Sequence, residues 1–228
     1  MPANLTYLFI DLGAFIVPFL FSFHPKIKFY KEWRAFLPAN LIITVLFLIW
    51  DITYTKIGVW GFNDHYLIGS KLFNLPIEEV LFFICIPYAS IFTYHCFKLF
   101  YPKILSFSVS TISVFLVALL LVVGIFNISK IYTSVTCITL AVVISGFSIA
   151  RVKWISAFYF MYVVILLPFF IVNGILTGTG LDSPIVWYND QENLGIRMLT
   201  IPVEDVFYGM LLLLLNTFVF ESFRKKHV

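Results

Sequence analysis

Two short stretches set carboxylates against apolar sequence: LPIEEVLFF at 75–83 and IPVEDVFYG at 201–209. Each carries an adjacent acid pair two residues after a proline: Glu78 and Glu79 after Pro76, and Glu204 and Asp205 after Pro202. A carboxylic acid withdrawn from water keeps its proton more readily, and a neighbouring carboxylate discourages both from ionising together. Such an acid can protonate an isoprenoid double bond. Aromatic faces can then stabilise the resulting cation, and a second carboxylate can remove a proton. This chemistry conserves the atoms of the substrate and requires neither cofactor nor metal. A simpler account is helix capping: proline suits a first helical position, and acids in the first turn meet unpaired N–H groups and the positive end of the dipole. Capping explains one acid of each pair. The second projects about 100° away from the first and is left over.

The elements that must position these acids are membrane helices. Of 228 residues, 61% are hydrophobic and 12% charged, against roughly 25% charged in a soluble domain. Apolar runs long enough to cross the hydrocarbon as helices lie near 5–23, 36–53, 76–97, 105–126, 131–150, 154–175 and 201–221. The expected fold class is an all-α polytopic membrane protein with about seven spans. The first run has no basic segment before it and no small-residue cleavage site after it, so it reads as a span. With the N-terminus outside, the inner segments hold Lys26, Lys28, Lys31, Arg34, Lys98, Lys103, Arg151, Lys153, Arg224, Lys225 and Lys226. Only Lys56, Lys71, Lys130 and Arg197 fall outside. Basic loops stay cytoplasmic, which places the N-terminus out and the C-terminus in, most simply in the cytoplasmic membrane.

The two acid stretches belong to a repeat. NDHYLIGSKLFNLPIEEVLF (63–82) and NDQENLGIRMLTIPVEDVFY (189–208) align without a gap, with Asn63/Asn189, Asp64/Asp190, Gly69/Gly195, Pro76/Pro202, Glu78/Glu204 and Val80/Val206 identical. Spans one to three then correspond to spans five to seven. A single linking span makes the halves parallel, a 3+1+3 arrangement divided as 1–104, 105–130 and 131–228. Both acid pairs fall near the outer boundary, where intramembrane acids are functional candidates. Asp11, roughly 10 Å inside the first span at 1.5 Å per residue, and Asp51 at the end of the second lie on the same side. Trp50, Tyr54, Phe82 and Tyr208 lie at similar depth as supporting candidates, although interfacial belts also collect tryptophan and tyrosine.

Other chemistries lack their residues. No G-x-G-x-x-G follows a strand and no P-loop is present, so nucleotide cofactors are not expected. His24, His65, His95 and His227 never fall at i, i+3 or i, i+4, which removes a histidine-box iron site. The last span has no lysine for a retinal Schiff base, and the D-x-x-x-D pattern of a diphosphate site is missing. Cys85, Cys96 and Cys137 form no C-x-x-C and read as small buried hydrophobes. The basic residues are scattered among loops, which does not suggest a nucleic-acid surface.

The two P-x-E-[ED] motifs, at Pro76, Glu78, Glu79 and at Pro202, Glu204, Asp205, each open a helix in a three-helix half. In this the chain resembles the membrane-integral lycopene cyclases of the heterodimeric type, in the form with both halves fused. The resemblance covers essentially the whole chain. It implies closure of the linear ends of lycopene to β rings without redox chemistry. It also implies a carotenoid substrate in contact with membrane lipid, with a second copy of the chain or other carotenoid-pathway enzymes as candidate protein partners. The alternative is a small-solute transporter with parallel 3+1+3 helices, kinked at Pro18, Pro87 and Pro168. The scarcity of polar residues in the inner half argues against it. A structural or sensory membrane subunit would not need four repeated acids.

Overall fold

A computed structural model describes residues 2–102 and 110–224. It contains seven helices among these residues: α1 (Thr6–Phe21), α2 (Trp33–Ile57), α3 (Ile77–Phe100), α4 (Ser110–Phe126), α5 (Ile131–Ile149), α6 (Ile155–Leu176) and α7 (Val203–Arg224). All but α4 belong to helical segments long and apolar enough to cross a membrane; the described part of α4 has 17 residues. The protein is an all-α polytopic membrane protein. Lys103, the 225–228 tail and positions 105–109 of the expected fourth span lie outside the described residues.

The loops at the acid-bearing end of the bundle contain structure that helical periodicity does not reveal. Six short strands, β1 (Trp60–Phe62), β2 (Lys71–Leu72), β3 (Leu75–Pro76), β4 (Val186–Tyr188), β5 (Arg197–Met198) and β6 (Ile201–Pro202), form three antiparallel pairs. β2 with β3 and β5 with β6 are tight hairpins in matching register, Lys71 facing Pro76 and Arg197 facing Pro202. The two prolines therefore end strands, and α3 and α7 begin one residue later than a proline in the first helical position requires. Pro76 is the N-cap, extended at φ −64 and ψ 150, because its place in the hairpin fixes it before the helix can start. β1 pairs with β4 across the two stretches, Trp60 opposite Tyr188 and Gly61 opposite Trp187.

The helices interlock between the stretches as well. α1 packs chiefly on α3, and α5 on α4 and then α7, while α2 leans on α7 and α6 on α3. α4 packs on α5 alone to any extent among the described elements. Gly124 makes that approach close, since an added Cβ would lie 2.9 Å from the Ile138 side chain and 3.2 Å from Cys137. Small residues let membrane helices approach in this way. Gly124→Leu is therefore expected to cost about 1–3 kcal/mol through overpacking, read as a lower melting temperature of the purified protein. An unchanged melt would mean that α4 adapts without strain.

Candidate active site

The hairpins deliver the acids. As α3 starts, Glu78 turns back over the loop and its Oε1 accepts the backbone N–H of Ile68 at 2.7 Å. At the start of α7, Oε1 of Glu204 accepts the N–H of Leu194 at 2.8 Å. These bonds are 126 residues apart, the spacing of the two motifs. Other loop bonds recur at the same spacing: Asn63 N–H to the Ile185 carbonyl at 2.8 Å, and Asn189 N–H to the Val59 carbonyl at 2.9 Å. Glu204 also accepts from the Thr133 hydroxyl at 2.6 Å. Glu78 and Glu204 are fully buried and tie the preceding loops to the helices, rather than capping the helices' own first N–H groups.

The second acid of each pair does something else. Glu79 and Asp205 line one cavity of about 690 Å³, bounded mainly by α1, α3, α6 and α7. Tyr7, from α1, donates to Glu79 Oε2 at 2.5 Å. Tyr132, from the start of α5, donates to Asp205 Oδ1 at 2.6 Å. Tyr188, on β4, adds a second phenol to Asp205 Oδ2 at 2.9 Å. The alignment places Phe62 opposite Tyr188 in the other stretch, and Phe62 lines the cavity without a hydroxyl to offer. Asp205 thus has both oxygens supplied with donors, while Glu79 has a phenol on one. Burial first, and then the nearby Asp205, push the Tyr188 phenol well above its ordinary range, so it remains a donor.

The remaining candidates divide by position. Asp51 lines the cavity and accepts the indole N–H of Trp60, which also lines it. Phe82 and Tyr208 present rings to the cavity, and the Tyr208 hydroxyl is buried without a hydrogen-bond partner among the described residues. Trp50 and Tyr54 stand behind this wall: Trp50 meets Tyr208 edge-on at 5.5 Å, and Tyr54 meets Trp60 at 4.9 Å. Pro76 and Pro202 are buried at the hairpin ends. Asp11 is fully buried one turn beyond Tyr7, outside the cavity lining, and neither oxygen has a hydrogen-bond partner among the described residues. Among the described residues, no three His, Cys, Asp or Glu side chains group as a metal set.

Tyr7, Tyr132 and Tyr188 are the candidate-site residues not singled out from sequence. The first two are the same device, a tyrosine as the second residue of α1 and of α5, but they stand 125 residues apart and the acids 126. That one-residue offset hides them from a gapless alignment.

At the other end of the bundle, Glu32 and Glu221 sit among cations. Glu221 accepts from Lys98 at 2.6 Å, and Glu32 pairs with Arg224 at 3.2 Å. The carboxylates of the cavity and those of this ion network are thus separated along the helices.

A family model described as "Lycopene cyclase" matches residues 4–97 and again residues 129–223. A "Bifunctional lycopene cyclase/phytoene synthase" of Leptosphaeria maculans is 38% identical over 59 residues, 26% of this chain and 10% of that protein. One of the same description from Pyrenophora tritici-repentis is 46% identical over 35 residues, 15% of this chain and 6% of that protein. The chain thus covers a tenth or less of these relatives in the matched segments. No solved structure matches.

Proposed function

Because the chain belongs to the lycopene cyclase family, we propose that it closes the linear ends of lycopene to β rings by proton-initiated cyclisation, with no net change in oxidation state. The observation that carries this is a single apolar-walled cavity holding Glu79, Asp205 and several aromatic faces. Glu79 is the donor: its second oxygen is left for a proton delivered to the terminal double bond. The tertiary cation so formed is attacked by the neighbouring double bond, and the ring closes. Asp205, with phenols on both oxygens, is the base that takes a proton from the ring cation and leaves the ring double bond. One proton enters and one departs. It returns from Asp205 to Glu79 before the next turnover. Trp60, Phe82 and Tyr208 face the cation with their rings, where cation–π attraction is largest in a desolvated site.

The same reading divides the chain into parallel halves, 1–104 and 131–228, joined by 105–130, with N-terminus outside and C-terminus inside. The recurring loop bonds support it. The proposal is tested by expressing the chain in a host that accumulates lycopene and separating the pigments. Ring products that differ from lycopene in retention but not in mass are expected. Unaltered lycopene beside a well-expressed protein defeats the proposal.

A further inference from the structure

The cavity is shorter than its proposed substrate. Glu79 and Thr93 both line it along α3, fourteen residues apart, or roughly 21 Å at 1.5 Å per residue. A rigid forty-carbon polyene is about as long as the roughly 30 Å hydrocarbon core. With one end at the carboxyls, about a third of the rod has no room inside. It cannot continue downward between α3 and α6, because Phe97 closes edge-on against Phe160 with centroids 5.1 Å apart.

The sideways direction is open. Phe9 and Gly13 of α1, and Pro168 and Ile171 of α6, line the cavity and are also exposed; Phe9 is 44% and Ile171 59% exposed. A Cβ added at Gly13 would meet nothing within 4 Å. α1 touches α6 only lightly, and Tyr7 and Asp11 are the buried residues of α1.

We propose that the gap between α1 and α6, flanked by Gly13 and Ile171, is a lateral portal. Through it a linear polyene enters from the bilayer, and its unreacted end stays in lipid while the first end is cyclised. This rests on the cyclase reading and adds the route and the specificity: the site takes the end of a long apolar rod and holds no more than one end at a time. Gly13 is the determinant, since any larger group there occupies the opening.

The test places a thiol at the lip. Gly13→Cys protein in vesicles containing lycopene is assayed before and after N-ethylmaleimide treatment. The parent, with its free Cys85, Cys96 and Cys137, and Leu12→Cys, whose thiol faces lipid beside the portal, are treated alike. Alkylation at position 13 is expected to lower cyclisation by more than about tenfold, since a small misplacement of a reacting end is that costly. The two controls should change little on treatment. Full turnover by completely alkylated Gly13→Cys protein overturns the portal. A second measurement does not depend on turnover: lycopene should slow alkylation at position 13 and leave position 12 unaffected, and equal rates with and without lycopene at position 13 overturn the portal as well. A parent that forms no rings from lycopene defeats the cyclase reading instead, a separate result.

Discussion

Glu79→Gln and Asp205→Asn are each expected to leave a folded protein whose ring formation falls by at least about 10²-fold, the low end for a lost general acid or base. The amides keep the size of the acids. A glutamine oxygen can still accept the Tyr7 phenol, and an asparagine accepts one of the Tyr132 and Tyr188 phenols on its oxygen while its NH2 donates to the oxygen of the other, so folding should survive. What they lose is proton transfer. Glu78→Gln and Glu204→Gln are expected to behave differently, because these side chains hold the Ile68 and Leu194 amides, and a glutamine oxygen can accept the same bonds. Their turnover should fall far less. Glu204→Ala, by contrast, would strand the Thr133 hydroxyl and the Leu194 N–H at a cost of about 1–3 kcal/mol each where they are buried. Pigment yield per mole of purified protein, with a melting curve for each variant, separates the cases. Normal turnover by both Glu79→Gln and Asp205→Asn would return the motifs to capping.

The second large effect concerns the order of products. Glu79 and Asp205 share one cavity, so one end of the polyene engages both. A time course from lycopene should pass through a free one-ring product, which leaves, turns round and returns. Asp205→Asn should then suppress the first ring as strongly as the second, by about 10²-fold in both. Two independent sites would behave otherwise: loss of one motif would cap the yield at a single ring, formed at the ordinary rate. Abundant one-ring product from a protein lacking both Glu204 and Asp205 would show that the motifs serve separate ends.

The spans were legible in the sequence because a bilayer leaves little choice: about twenty apolar residues with few charges must be helical. The duplicated motif was equally plain, since proline and two acids are rare beside such runs. Three features were not legible. Strands β1 and β4 are fixed by pairing between distant loops, and strands of two or three residues carry no readable period. The Tyr7 and Tyr132 phenols that hold Glu79 and Asp205 come from 72 and 73 residues away, with no local spacing to betray them. Nor does P-x-E-[ED] show which acid faces the substrate. That depends on the hairpin before each helix, which sets the first acid against its own loop and the second towards the cavity.

The interlocking of the two stretches bears on how the chain is joined. β1 pairs with β4, α2 rests on α7, and α6 on α3, so the surfaces binding the two family-matched segments together lie in the helices and in the loops beside the cavity. α4 contributes little to them, since its own contacts are chiefly with α5. The covalent link therefore acts mainly through effective concentration: it turns a meeting of two partners into an intramolecular event without supplying the interface. In a membrane, where partners already diffuse in two dimensions, that advantage is smaller than in solution. By this arithmetic the covalent joining of the two matched segments is thermodynamically cheap to make or to break, because the pairing that builds the cavity is encoded on both sides of the joint.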